Sequence, residues 1–197
     1  GPTVTQTIPS EILPLSKNNT PSFTFQTTEG GVLTTTLSQG FSVPTNANIT
    51  STNTDINFTF NTLDDGTYSN VQIIVTDTNG NAGTCTLLPN PFVIDTTGPS
   101  ITILGDNPAT VEKGSTYVDS GATASEGATV IVASNNVNTG VVRTDPDYYT
   151  VTYTATDNAN NTTTATRTVY VEDTTPPVIT LNGDNPMYVE WITGTFT

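Results

Sequence analysis

Between residues 149 and 156 the chain alternates without exception. Tyr149, Val151, Tyr153 and Ala155 fall on one side, and Thr150, Thr152, Thr154 and Thr156 on the other. Successive side chains of a strand point to opposite faces, so this segment predicts a strand with one face in a core and the other in water. Other short runs that read as strands occupy Ser22–Gln26, Ile56–Phe60, Val71–Thr76 and Phe92–Ile94. Further along come Ile101–Leu104, Thr110–Glu112, Thr116–Val118, Thr129–Ala133, Val137–Arg143 and Thr163–Glu172. Asp64-Asp65-Gly66 and Asn79-Gly80 are turn signals between runs. Asp157–Asn161 turns the chain into its last long run, where Val169 and Val171 are expected to face the same core as Tyr149 and Tyr153. No stretch repeats at helical spacing, which makes the expected class all-β.

A second regularity lies on top of the first. Residues 95–112 read Asp-Thr-Thr-Gly-Pro-Ser-Ile-Thr-Ile-Leu-Gly-Asp-Asn-Pro-Ala-Thr-Val-Glu. Residues 173–190 read Asp-Thr-Thr-Pro-Pro-Val-Ile-Thr-Leu-Asn-Gly-Asp-Asn-Pro-Met-Tyr-Val-Glu. A linker and the first strands of a unit therefore occur twice, as in an array of modules joined end to end. The expected units are 1–97, 98–175 and a truncated third, 176–197. Seven short strands in the second unit predict an immunoglobulin-like sandwich, and the whole reads as tandem immunoglobulin-like β-sandwiches. The apolar residues of the last piece (Met187, Val189, Trp191 and Phe196) admit two readings: a simple truncation, or a strand donated to a neighbouring molecule.

Composition narrows the functional classes. Eighteen acidic residues against four basic ones give a net charge of −14. Such a surface repels phosphate backbones and anionic lipid, so neither nucleic-acid binding nor membrane insertion is expected. With no histidine, Ser–His and Cys–His catalysis are excluded, and the single Cys85 permits no intrachain disulfide. No apolar run has transmembrane length. Gly1-Pro2 resembles the remnant of a cleaved tag. Asn-x-Ser/Thr sequons begin at Asn18, Asn48, Asn57, Asn160 and Asn161.

The second unit resembles the bacterial surface immunoglobulin-like repeats through Pro99–Pro108, Gly114–Tyr117 and Tyr149–Asp157. It departs from their pattern at residues 120–127, Ser-Gly-Ala-Thr-Ala-Ser-Glu-Gly, where those repeats carry an Asp-rich stretch. The first unit is similar to another immunoglobulin-like group through Thr20–Phe25, Asp65–Asn70 and Asp95-Thr96-Thr97. Members of that group often have a cysteine where Val71 stands, paired with one nearer the middle; this chain has no such pair. The resemblance implies an extracellular, cell-surface setting such as an adhesin, a surface-layer protein or a spacer of a secreted enzyme.

Several constellations bear on chemistry. Asp95-Thr96-Thr97-Gly98 is one residue too long for the Asp-Thr-Gly of aspartic proteases. Asp77-Thr78-Asn79-Gly80-Asn81 opens like a calcium loop, but Ala82 and Leu88 stand where an EF-hand needs Gly and Glu, and a hairpin turn is the simpler reading. An interdomain Ca²⁺ site is the cation expectation: Asp157 and Asp173 approaching Asp184, and Asp77 and Asp95 approaching Asp106. Lys17 and Lys113 raise the alternative of a Lys–Asn isopeptide staple, which needs a buried Lys beside a carboxyl. Asp145-Pro146-Asp147 pairs carboxylates in a turn with no companion base. The expected function is a non-catalytic structural spacer, an adhesin stalk or a surface-layer or filament component. The alternative is a carbohydrate-binding or accessory module of a secreted glycoside hydrolase. Its partners are expected to be neighbouring repeats of the same or adjacent chains, with self-assembly through the C-terminal strands.

Overall fold

The computed structural model describes residues 1–8, 14–37, 41–42, 48–50, 52–125, 127–145, 147–183 and 186. Eleven strands make the first unit: β1 Val4–Ile8, β2 Leu15–Ser16, β3 Ser22–Thr27, β4 Gly31–Thr35, β5 Phe41–Ser42, β6 Asn48–Ile49, β7 Ile56–Phe60, β8 Gly66–Tyr68, β9 Gln72–Thr76, β10 Ala82–Thr86 and β11 Phe92–Ile94. Six make the second: β12 Ile101–Ile103, β13 Ala109–Glu112, β14 Ala122–Ala124, β15 Thr129–Asn135, β16 Tyr149–Thr156 and β17 Thr162–Glu172. Among the described residues there is no helix.

In the first unit, sheets β1-β3-β7-β5, β10-β9-β4-β6 and β2-β11-β8 enclose one apolar cluster. The alternation in β3 and β7 brings Phe23, Phe25, Phe58 and Phe60 inward, all buried. Phe23 stacks on Phe58 with centroids 5.6 Å apart, and Phe60 meets Phe58 edge-on at 5.2 Å. Leu33, Ile73, Val75, Phe92 and Ile94 close the cluster from the facing strands.

The second unit is built differently. Its main sheet runs β13-β17-β16-β15, with the pair β12-β14 beside it. Among the described residues, Tyr149, Val151, Tyr153, Val169 and Val171 form its buried apolar cluster. Next to them lies Arg167, 1% exposed, at the same strand parity as Val169 and Val171. Its Nη1 bonds Asp119 Oδ1 at 2.9 Å, and its Nη2 donates to the carbonyls of Leu104 and Gly121. Asp119 also accepts the hydroxyls of Tyr153 at 2.7 Å and Tyr117 at 2.9 Å, and the Gly121 amide at 3.1 Å. A charge leaves water without large cost only when it is paired and its remaining valences are filled, and this network fills most of them.

Two expected strands are absent. Residues 137–143 lack a continuous ladder because Gly140 N bonds Asn138 Oδ1 in a tight turn, leaving Arg143 as a single bridge to Val171. Thr116–Val118 pairs with no strand, and Val118 is exposed. Instead β14 forms at Ala122–Ala124 and pairs with β12. Residues 176–183 carry no strand and are exposed, and Met187, Val189, Trp191 and Phe196 lie outside the described residues.

Candidate functional site

The two Asp-Thr-Thr segments are the places where one unit hands the chain to the next, and sheet register decides what grips them. Antiparallel pairing of β8 with β11 sets Gly66 opposite Ile94, so Asp65 projects beside the residues that follow Ile94. Its Oδ1 accepts Thr96 N at 2.9 Å and Thr96 Oγ1 at 2.7 Å, and its Oδ2 accepts Thr97 Oγ1 at 2.6 Å. At the far end of the second unit, parallel pairing of β13 with β17 sets Glu112 beside Glu172. The Glu112 carboxylate accepts both amides and both hydroxyls of Thr174 and Thr175, with the shortest contacts at 2.5 Å and 2.8 Å. Asp65, just before β8, and Glu112, at the end of β13, each grip the Thr-Thr pair of a linker: both take the two hydroxyls, Glu112 with both amides and Asp65 with one. These bonds to Thr97 and Thr96 hold Asp65 below the ordinary carboxylate range, and those to Thr174 and Thr175 do the same for Glu112.

The first linker is also held from the side it enters. The hairpin between β16 and β17 is closed by Asp157, whose Oδ1 accepts Asn161 N at 2.8 Å and whose Oδ2 accepts Asn161 Nδ2 at 3.0 Å. The same amide donates to the Asp95 carbonyl at 2.8 Å and to the Thr97 carbonyl at 3.3 Å. Lys17 adds a bond of 3.1 Å from its Nζ to the Asn160 carbonyl. Gly98 lies so close to β17 that a Cβ there would stand 2.6 Å from Thr163 Oγ1.

Five of the six aspartates expected to bind calcium are described, and their surroundings differ. Asp157 and Asp173 flank opposite ends of β17, whose eleven residues span on the order of 36 Å, so they do not converge. The hairpin of each unit faces the chain entering that unit, not the one leaving it. Asp77 closes the β9–β10 hairpin and accepts Asn79 N, Asn81 N and Asn81 Nδ2, each at 2.8 Å. Asp95 accepts Thr97 N at 3.2 Å, and Asp173 pairs with Lys113 at 3.2 Å in an exposed ion pair. Asp106 lines a recess with Tyr117 and Arg167. Asp184 lies outside the described residues. Among the described residues no three acidic or thiol groups stand where they could hold a metal. Lys113 is therefore exposed and ion-paired, not buried for an isopeptide, and Cys85 is a free thiol.

Asp65 and Glu112 are not distinguishable as grips in the sequence, because only strand register brings them to the linkers. Arg167 did leave a signal: an arginine at core parity between Ala165 and Val169 needs a buried acid, and Asp119 supplies it.

Residues 101–171, from β12 to the end of the last long ladder, match the family described as bacterial surface protein, Ig-like domain. Residues 52–123 match a second family, bacterial Ig-like domain (group 3), and this match runs from β7 across the linker into the second Ig-like domain. Residues 52–171 are thus covered by models of bacterial Ig-like domains. Among solved structures the chain is similar to one described as a protocadherin gammaB7 EC3-6 cis-dimer, at 14% identity and a TM-score of 0.41. That likeness covers 87% of this chain and 51% of that one, so this chain spans about half of the structure's length. No curated protein matches it. Among the described residues no helix is long and apolar enough to cross a membrane.

Proposed function

We propose that the chain is a non-catalytic spacer of an extracellular surface protein, an adhesin stalk or a surface-layer or filament component, whose Ig-like domains act as stiff links. The observation that carries this reading is the doubled grip on the linker: Asp65 from the preceding domain and Asn161 from the following one both bind residues 95–97. Each bond contributes about 1 kcal/mol, so the set is enough to favour one arrangement of the joint over many. Residual dipolar couplings test it. Both domains are expected to share one alignment tensor, and the double variant Asp65→Ala with Asn161→Ala to give two tensors of unequal magnitude while each domain stays folded. Two independent tensors in the unaltered chain would sink the reading.

Load-bearing has a second consequence. In both domains a strand near the entrance lies parallel to the last strand, β2 against β11 and β13 against β17. Pulling the ends apart shears such a pair, and sheared hydrogen bonds must break together. The first pair is two residues long and the second four. Under force the first domain is expected to unfold before the second, even though its apolar core is the larger. Single-molecule stretching reads the order directly, and the reverse order would show that the ladders do not carry the load.

In this reading hydrogen bonds, not calcium, hold the joint. Thermal unfolding in EDTA and in millimolar Ca²⁺ is expected to coincide, and a calcium-specific rise of several degrees would return a cation to the linker.

A further inference from the structure

The chain holds two copies of one hairpin, and only one of them is in use. Asp77–Asn81 and Asp157–Asn161 share four internal hydrogen bonds. The first residue's amide bonds the fifth residue's carbonyl, at 2.9 Å and 3.1 Å, and the fourth residue's amide bonds the first's carbonyl, at 3.1 Å and 3.2 Å. The fourth residue takes a positive φ in both, +85° at Gly80 and +66° at Asn160. The carboxylate takes the Asn amide and side chain in both. In the second domain the Asn161 side-chain amide then reaches the carbonyls of Asp95 and Thr97, and Asp157 is buried beneath that contact. In the first domain Asn81 is exposed, and among the described residues its side-chain amide has Asp77 Oδ2 as its acceptor and no other.

The entering chain matches as well. Gly1-Pro2 runs toward β1 and packs on this hairpin: a Cβ on Gly1 would stand 2.8 Å from Asn81 Cβ, and Gly83 lies against the Pro2 carbonyl. Gly98 packs on Thr162 and Thr163, the two residues that follow the second hairpin, and stands three residues before Ile101 as Gly1 is three before Val4. In both domains the entering segment lies against the strand that leaves the hairpin, β10 or β17.

We infer that the Asp77–Asn81 hairpin is a docking socket for the Asp-Thr-Thr end of another Ig-like domain of this kind, with the Asn81 amide binding the carbonyls of its Asp and second Thr. The socket rests on the spacer reading and deepens it by naming the partner: a linker already gripped by a carboxylate of its own domain, as Asp65 grips Thr96 and Thr97. Pre-ordering by that grip matters, because ordering three free residues on docking costs conformational entropy that would cancel the gain.

The test places an added copy of residues 1–97 ahead of Gly1 of the full chain, so that Asp95-Thr96-Thr97 runs into Gly1-Pro2. The added and resident first domains are expected to share one alignment tensor. Asn81→Ala in the resident copy is expected to split it, with the joint at Asn161 left unchanged as an internal control. A second version, with residues 98–175 added instead, repeats the test with Glu112 as the grip. Independent tumbling at the new joint in both versions, with the Asn161 joint still rigid, would overturn the socket and leave the spacer standing. Independent tumbling at both joints would overturn both.

Discussion

Replacing Asp119 with alanine is expected to unfold the second domain selectively. The substitution leaves the Arg167 guanidinium buried without its counter-ion and strips Tyr117 and Tyr153 of their acceptor. Breaking a buried pair from one side costs about 3–5 kcal/mol, most of what a domain of this size has to lose. Calorimetry of the full chain is expected to show the second domain's transition falling well below its original temperature while the first domain's stays in place. Replacing both partners, Asp119→Leu with Arg167→Met, is expected to recover much of the loss, since no orphan charge remains. A mild effect of Asp119→Ala would mean that water reaches Arg167. Burial pushes the Asp119 carboxyl up, but the Tyr153 and Tyr117 hydroxyls and Arg167 outweigh it and hold the group below its ordinary value. A carboxyl depressed in the folded state stabilises above its unfolded pKa, about 4, and that contribution is lost as pH falls through the folded value. The second domain is therefore expected to weaken only in strong acid, and Asp119→Ala to remove that part of its acid sensitivity.

Phe58→Ala is expected to have a comparable effect on the other domain. Phe58 touches Phe23, Phe25 and Phe60 at centroid distances of 5.2 to 5.9 Å. Removing a buried ring costs about 3–5 kcal/mol through lost transfer energy and the cavity left behind. The calorimetric signature is the mirror image: the first domain's transition falls and the second's holds. If both transitions move together, the domains unfold as one unit and the joint is stronger than its hydrogen bonds account for.

These two variants separate two ways of stabilising a sandwich. Among the described residues the first domain gathers fourteen buried apolar side chains into one cluster, whereas the second has five and places an ion pair with two tyrosine hydroxyls beside them. A spacer made of both has links that respond differently to heat, acid and force, although the linkers joining them are alike.

Alternation alone determined the all-β class, the inward faces of β3, β7, β16 and β17, and the hairpins at Asp77 and Asp157, because period two and turn chemistry are local. Repetition of Asp-Thr-Thr marked the linkers for the same reason. The ladder expected at 137–143 failed because its valines do not alternate and Asn138 and Gly140 favour a turn. Pairing between distant strands decided the rest. Register set Asp65 and Glu112 beside threonines more than thirty and sixty residues away in sequence. The length of β17 kept Asp157 and Asp173 at opposite ends, and the hairpin at Asp157 clasps the entering chain. A carboxylate's role depends on which donors surround it, and in this protein those donors come from elements that only the assembled sheets bring together.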